Sequence, residues 1–147
     1  AVAQPHYDRR HDCGSRRCLI INDTTEINFT KHREIPGLGF LGKGQGYGFL
    51  LHSALMLLET GQVLGLAGQK LICRRRHVNK PKQTRTQALR HSRESQLWTQ
   101  VIDAVGPPPT LSQWVHVADR GADNFEVYWH CQQQRCGWII RARNLNR

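Results

Sequence analysis

A chain of 147 residues with 39% hydrophobic side chains is long enough to bury one core, and that apolar content argues against disorder. Its net charge of +10 points to a polyanionic partner, most simply nucleic acid, with an acidic membrane surface or mere solubility as the competing readings. No secretory signal or membrane span is expected: AVAQPHYDRR at the N-terminus has no apolar core, and the longest apolar run, 49–58, is short and interrupted by His52 and Ser53.

Residues 1–17 form a polar, basic lead-in without a clear period. The chain starts without Met and stops at Arg147 just after a strand-like run, so the expectation is a piece of a longer protein. The apolar residues 18–21 predict a short buried strand ending in Asn22-Asp23-Thr24-Thr25, which sets Asp23 on or just after that strand. Asp23 is then either a metal ligand or an ordinary turn carboxylate. Residues 36–48 are glycine-rich and hold two partial phosphate-binding signatures. Gly37-x-Gly39-x-x-Gly42 matches a dinucleotide fingerprint in letters, and Gly37-x4-Gly42-Lys43 approaches a P-loop with Gly44 where Ser or Thr is required. Both need a helix directly afterwards, and Lys43-Gly44-Gln45-Gly46 is a poor helix start, so a loop is the better reading. Residues 49–58 and 63–73 predict two strands joined by a turn at 59–62, an antiparallel hairpin.

Residues 74–93 carry the densest charge: Arg74, Arg75, Arg76, Lys80, Lys82, Arg85, Arg90 and Arg93, with no acid among them. Pro81 and its polar neighbours make this a loop, which either lies along phosphates or is simply solvated. Ser92 can cap a helix over 93–105 with Leu97, Trp98, Val101, Ile102 and Val105 on its buried face, and Gly106-Pro107-Pro108-Pro109 stops it.

The next strand is WVHVAD, in which Val115 and Val117 alternate with His116 and Ala118 brings the run to Asp119. A helix follows, with Asp123 as its N-cap, Glu126 as the capping-box partner, and Phe125, Tyr128 and Trp129 on one face. Gly137 is expected to end it, and 138–142 to form a last strand. Asp119 thus stands where a strand-to-helix crossover leaves the sheet, the edge at which ligands collect in open α/β sheets. A carboxylate there suits Mg²⁺ or Mn²⁺, or else only shapes the turn. Two strand-borne aspartates far apart in sequence, Asp23 and Asp119, fit a two-metal site in which ions about 3.5–4 Å apart clamp a phosphodiester. The five cysteines have no disulfide-framework spacing, which fits a reducing cytoplasm. Cys13-x4-Cys18 and Cys131-x4-Cys136, with His11 and His130 nearby, sit at the edge of zinc-site spacing, and buried or free thiols are the default.

In order, the elements are strand, antiparallel hairpin, helix, strand, helix, strand. That is the start of an α/β, ribonuclease-H-like mixed sheet, truncated at its C-terminal end, over residues 18–147, with the basic loop at 74–92. Against this order the motifs are specific. Ile20-Ile21-Asn22-Asp23-Thr24-Thr25 resembles the first-aspartate segment of DDE transposases of the insertion-sequence-four group. Val115-His116-Val117-Ala118-Asp119-Arg120-Gly121-Ala122-Asp123 resembles their second-aspartate segment. Arg93-Glu94-Ser95-x-x-Trp98 is similar to the motif that opens the helix between them, and Ile35-Pro36-Gly37-Leu38-Gly39 and His52 also look like this group.

The resemblance implies cut-and-paste DNA transposition in a bacterial cytoplasm, by metal-dependent hydrolysis and strand transfer on transposon ends and target DNA. It implies Mg²⁺ or Mn²⁺ held by Asp23 and Asp119, with Arg120 ordering the site or meeting phosphate, and it admits a homodimer of the intact protein. Arg74, Arg75, Arg76, Lys80 and Lys82 are the candidate DNA contacts beside Arg120. The family's third carboxylate, a Glu in a Tyr-Arg-containing helix, has no counterpart: no Glu follows Glu126. The family's N-terminal DNA-binding region is missing as well. An inactive core piece is therefore expected, with a non-catalytic DNA-binding remnant as the alternative. A small ribonuclease-H-like nuclease is the third reading, and it needs Asp103, Glu94 or Glu126 to join the two aspartates.

Overall fold

The computed structural model describes residues 7–9, 13–14, 16–32, 34–41, 46–74 and 94–143. The elements are β1 (Arg17–Asn28), β2 (Gly39–Leu41), β3 (Gly46–Leu58), β4 (Val63–Ile72), α1 (Glu94–Val105), β5 (Gln113–Ala118), α2 (Phe125–Gln133) and β6 (Gly137–Ile140). The six strands form one mixed sheet in the order β2-β3-β1-β5-β6, with β4 also on β3. One edge of β3 pairs with β1; its other edge is shared by β2 at Gly46–Gly48 and by β4 from Leu50 onward, all antiparallel. A bond from Phe40 N–H to the Arg74 carbonyl (3.1 Å) joins β2 to the end of β4. β5 runs parallel to β1, and β6 parallel to β5.

The two-residue period of a strand decides which face is the core. Cys18, Ile20 and Asn22 on β1, Leu50, His52, Ala54, Met56 and Leu58 on β3, and Trp114 and His116 on β5 are all buried. The helix α1 lies over this face. Its spacing of Leu97, Trp98, Val101, Ile102 and Val105 puts all five inside, as the sequence predicts. A Cβ at Gly68 of β4 would lie 3.0 Å from a Val105 methyl, so glycine there lets the helix approach closely. The helix α2 joins the same layer through Val127 and Cys131, which pack with Trp98, Ile102 and Ala122.

On β1, β3, β5 and β6 the odd-numbered side chains make the opposite face, on which neither α1 nor α2 lies. Leu19, Ile21, Leu51, Leu55, Leu57, Val115 and Val117 are only half-buried. Leu71 is 49%, Val63 57% and Ile139 61% exposed. Among the described residues no helix is long and apolar enough to cross a membrane.

Several local expectations change. β1 is twelve residues long rather than a short run, because its full length pairs with β3. The glycine-rich segment contains β2 and leads into β3, so among the described residues no helix follows either phosphate-loop signature, and Gly42 and Lys43 lie outside them. The N-cap of α2 is Asn124, whose Oδ1 accepts from Val127 N–H at 3.1 Å. Asp123 instead accepts from Tyr128 Oη–H (2.7 Å) and from Arg143 N–H (2.6 Å), tying the loop to the chain beyond β6. With the cap moved, the capping box to Glu126 does not form. The buried face becomes Val127 and Cys131, leaving Phe125 and Trp129 exposed. The helix ends through a Schellman arrangement at Arg135 (φ 57°) rather than at Gly137: Cys136 N–H bonds the Cys131 carbonyl and Arg135 N–H the Gln132 carbonyl. Ser92 and the proposed start of α1 at Arg93 lie outside the described residues.

Candidate functional site

The β1–β5 ladder runs in constant register from Arg17↔Gln113 to Ile21↔Val117. Asp23 and Asp119 stand two residues beyond the last pair, each on its own strand line. Asp23, odd-numbered within β1, belongs to the open face, whereas Asp119 follows the end of β5; both are exposed. The β5–β6 ladder ends at Ala118↔Ile140, which brings Arg141 next to Asp119, and Arg141 N–H bonds the Ala118 carbonyl at 3.2 Å. By continuation of the two registers, Asp23, Asp119 and Arg141 make one row just past the last paired residues of three neighbouring parallel strands.

Asp119 also shapes its turn. Its Oδ1 accepts from Gly121 N–H at 2.8 Å and caps the 3-10 turn Arg120–Ala122. A Cβ at residue 121 would sit 2.9 Å from that oxygen and 3.4 Å from the Trp98 ring, so glycine is needed for the carboxylate to bend back. The second oxygen has no partner among the described residues, so the turn-shaping role leaves half of the carboxylate available. Arg120 is exposed at the start of this turn. Arg74 is half-buried where β4 meets β2, away from the row. Arg75, Arg76, Lys80 and Lys82 lie outside the described residues.

On the covered face, directly behind Asp23, is a polar patch that the apolar patterning does not lead one to expect. Asn22 Nδ2 donates to the Ile20 carbonyl (2.7 Å) and to the Val117 carbonyl (3.4 Å), and lies 3.1 Å from His116 Nδ1. Because Nδ2 is a donor, His116 Nδ1 must accept, which puts the proton of the neutral ring on Nε2. Thr24 Oγ1 is 2.7 Å from His52 Nδ1, and the His52 ring meets Trp98 edge-on with centroids 4.4 Å apart. Asn22 Oδ1, His52 Nε2 and His116 Nε2 are buried without a partner among the described residues. Burial pushes the His52 imidazole down to about 4, against the opposing pull of Asp23. Burial and then the nearby His52 do the same to His116, also to about 4.

The other acidic candidates lie elsewhere. Asp103 is on α1, over the covered face, and its Oδ1 is engaged by His130 Nδ1 (2.8 Å) and Gln134 Nε2 (3.2 Å). Glu126 is exposed in the first turn of α2 in the same layer. Neither shares the open face with Asp23. Among the described residues no group of three or more His, Cys, Asp or Glu side chains is placed to hold a metal. Cys13, Cys18, Cys131 and Cys136 are buried core thiols: burial, helped by Cys13, raises Cys18 to about 12, and burial raises Cys131 to about 12 and Cys136 to about 11. His130, proposed beside them, turns to Asp103 instead. His11 lies outside the described residues.

No known family model matches the chain, and no curated protein matches it by sequence. Arg141, Asn22, His52 and His116 were not singled out as site residues from sequence. For three of them the signal was present, because Asn22, His52 and His116 are polar side chains in the buried phase of otherwise apolar strands. Arg141 carries no such mark, since only the β5–β6 register brings it to Asp119.

Proposed function

We propose that the chain is a ribonuclease-H-like core of a DDE transposase of the insertion-sequence-four group, carrying the first two acidic residues of its catalytic site. The observation that carries the reading is that Asp23 and Asp119 each follow by two residues the last β1–β5 pair, Ile21↔Val117, on adjacent parallel strand lines. The strand order, with its antiparallel three-stranded half and parallel second half, supports the same architecture. Two exposed carboxylates form a hard oxygen donor pair that suits Mg²⁺ or Mn²⁺. Such an ion, when bound, supplies Lewis-acid polarisation of a phosphodiester and activation of water or a 3′-hydroxyl.

The protein's own part is to present the two carboxylates side by side and to surround them with positive charge. Arg141 completes the row, and Arg120 flanks it from the turn. Both can meet the phosphates of a double-stranded DNA substrate, where guanidinium groups bind oxygens bidentately. The net charge of +10 favours the same partner.

Mn²⁺ titration of the 147-residue chain tests the reading. Paramagnetic broadening is expected at the amides of Asp23 and Asp119 together, and it is expected to vanish in Asp23→Asn and in Asp119→Asn. Broadening that survives both substitutions refutes the site. A second reading, a DNA-binding protein without catalysis, is favoured by the absence of a third ligand among the described residues. It predicts DNA affinity that falls steeply with salt and ignores both Asp→Asn changes.

A further inference from the structure

The two parallel strands that carry the aspartates separate just before them. The backbone ladder between β1 and β5 ends at Ile21↔Val117, while β1 continues to Asn28 on β3 alone. A fork therefore opens between the strands, and Asp23 and Asp119 stand on its two sides. What bridges the fork at its root is a side chain. The Asn22 amide spans to the Val117 carbonyl on β5 and to the His116 ring on the same strand, while also holding the Ile20 carbonyl of its own strand. On the other side of Asp23, the Thr24 hydroxyl bonds His52 on β3, and His52 is braced by Trp98 of α1. Asp23 is thus the open-face residue between two covered-face residues that are each tied to a different neighbouring strand.

This arrangement is costly. Three polar atoms are fully buried without partners among the described residues, and each such atom opposes folding. Residues 22, 24, 52 and 116 occupy positions whose strand neighbours are Ile20, Ala54, Met56 and Trp114, all apolar and buried. Apolar side chains of similar size would fill the same space without leaving orphaned groups. A polar set kept at such a cost in the core is better explained by geometry than by stability.

We propose that these are positioning residues: Asn22 with His116 fixes the width of the β1–β5 fork, Thr24 with His52 holds β1 from its β3 side, and together they set the separation of Asp23 and Asp119. The inference rests on the metal-site reading for its consequence, but the clasp itself is a statement about the fork. Thr24→Val and Asn22→Leu remove hydrogen bonding with little change of volume, and Thr24→Ser restores the hydroxyl.

The test pairs two readouts on the full chain. Without metal, amide exchange and line widths at Asp119, Arg120 and Gly121 report the fork, and thermal unfolding reports whether the variant is folded. With Mn²⁺, the joint broadening of Asp23 and Asp119 reports the pair. Thr24→Val and Asn22→Leu are expected to stay folded, to exchange faster at 119–121, and to weaken Mn²⁺ binding about tenfold or more, the range seen when the supports of metal ligands are removed. Thr24→Ser is expected to restore both readouts. Folded variants with unchanged exchange at 119–121 overturn the proposal. If the parent chain binds no Mn²⁺ while the variants still loosen residues 119–121, the metal-site reading fails and the clasp stands. Should Asn22→Leu fail to fold, the Thr24 pair decides alone by the same readouts.

Discussion

Mild acid is expected to destabilise this protein through His52 and His116. Both imidazoles are buried and held neutral, with folded values of about 4 against an ordinary 6.5. The groups facing them are few: Thr24, Trp98 and the Asp23 charge for His52, and Asn22 with His52 itself for His116. Above pH 6.5 each ring is neutral whether the chain is folded or not, so neither opposes folding. Between 6.5 and 4 the unfolded chain takes up protons that the folded core refuses, so stability falls as the pH falls, and the loss is complete below 4. A depression of 2.5 units, 6.5 minus 4, amounts to about 3 kcal/mol for each ring at 1.36 kcal/mol per unit. Two such losses are comparable with the whole stability of a small domain, roughly 5–15 kcal/mol. Urea unfolding at pH 7.5, 6.5, 5.5 and 4.5, followed by tryptophan fluorescence, measures the slope. The double variant His52→Leu, His116→Leu is expected to flatten it relative to the parent chain, because the remaining histidines and carboxylates titrate in both proteins. Identical slopes would refute the assignment of these rings as buried neutral groups.

Gly121→Ala is expected to cost about 1–2 kcal/mol and to displace the Asp119 carboxylate, because the added methyl would stand 2.9 Å from Oδ1; thermal unfolding and the Asp119 amide shift check both effects. Arg135→Gly is expected to stabilise by about 1 kcal/mol, since a non-glycine residue now holds φ 57° at the end of α2; a lowered urea midpoint would contradict it. The open face is expected to bind a hydrophobic dye in the native state, and Leu71→Lys with Ile139→Lys to reduce that signal without loss of fold; unchanged dye fluorescence would show that the face is not the binding surface. Ile102→Ala is expected to cost about 2–5 kcal/mol, measured by urea unfolding, because it empties the contact between α1 and α2.

Much of the secondary structure was legible because it depends on short-range rules. The helical spacing of Leu97, Trp98, Val101, Ile102 and Val105 named the buried stripe of α1 correctly, and Gly106, at φ 76°, ends it where the Gly-Pro run indicates. The hairpin of β3 and β4 followed from two apolar runs and a Gly-containing turn, with Gly61 at φ 88°. The errors were also local. Asp123 and Asn124 are adjacent, both are good caps, and only the pull of Tyr128 and Arg143 on Asp123 chose between them. The β2 strand escaped notice because three residues in a glycine-rich stretch have no period of their own; they are a strand only because β3 offers a free edge.

By itself, then, the sequence determined which segments are strands and helices and which of their faces are apolar, since side-chain spacing and backbone propensity act over a few residues. It also marked Asp119 as a strand-end carboxylate and set Asp23 on or just after its strand, where the structure puts it inside β1. That their strand lines are neighbours was decided by the parallel β1–β5 register, which is a long-range pairing between residues nearly a hundred positions apart. The β5–β6 register brought Arg141 into the row, and the strand pairings together left one face of the sheet without α1 or α2 and set the neutral pair His52 and His116 behind Asp23. Those features arise from which strands become neighbours, and that choice is made by burial of the whole core rather than by any stretch of chain read alone.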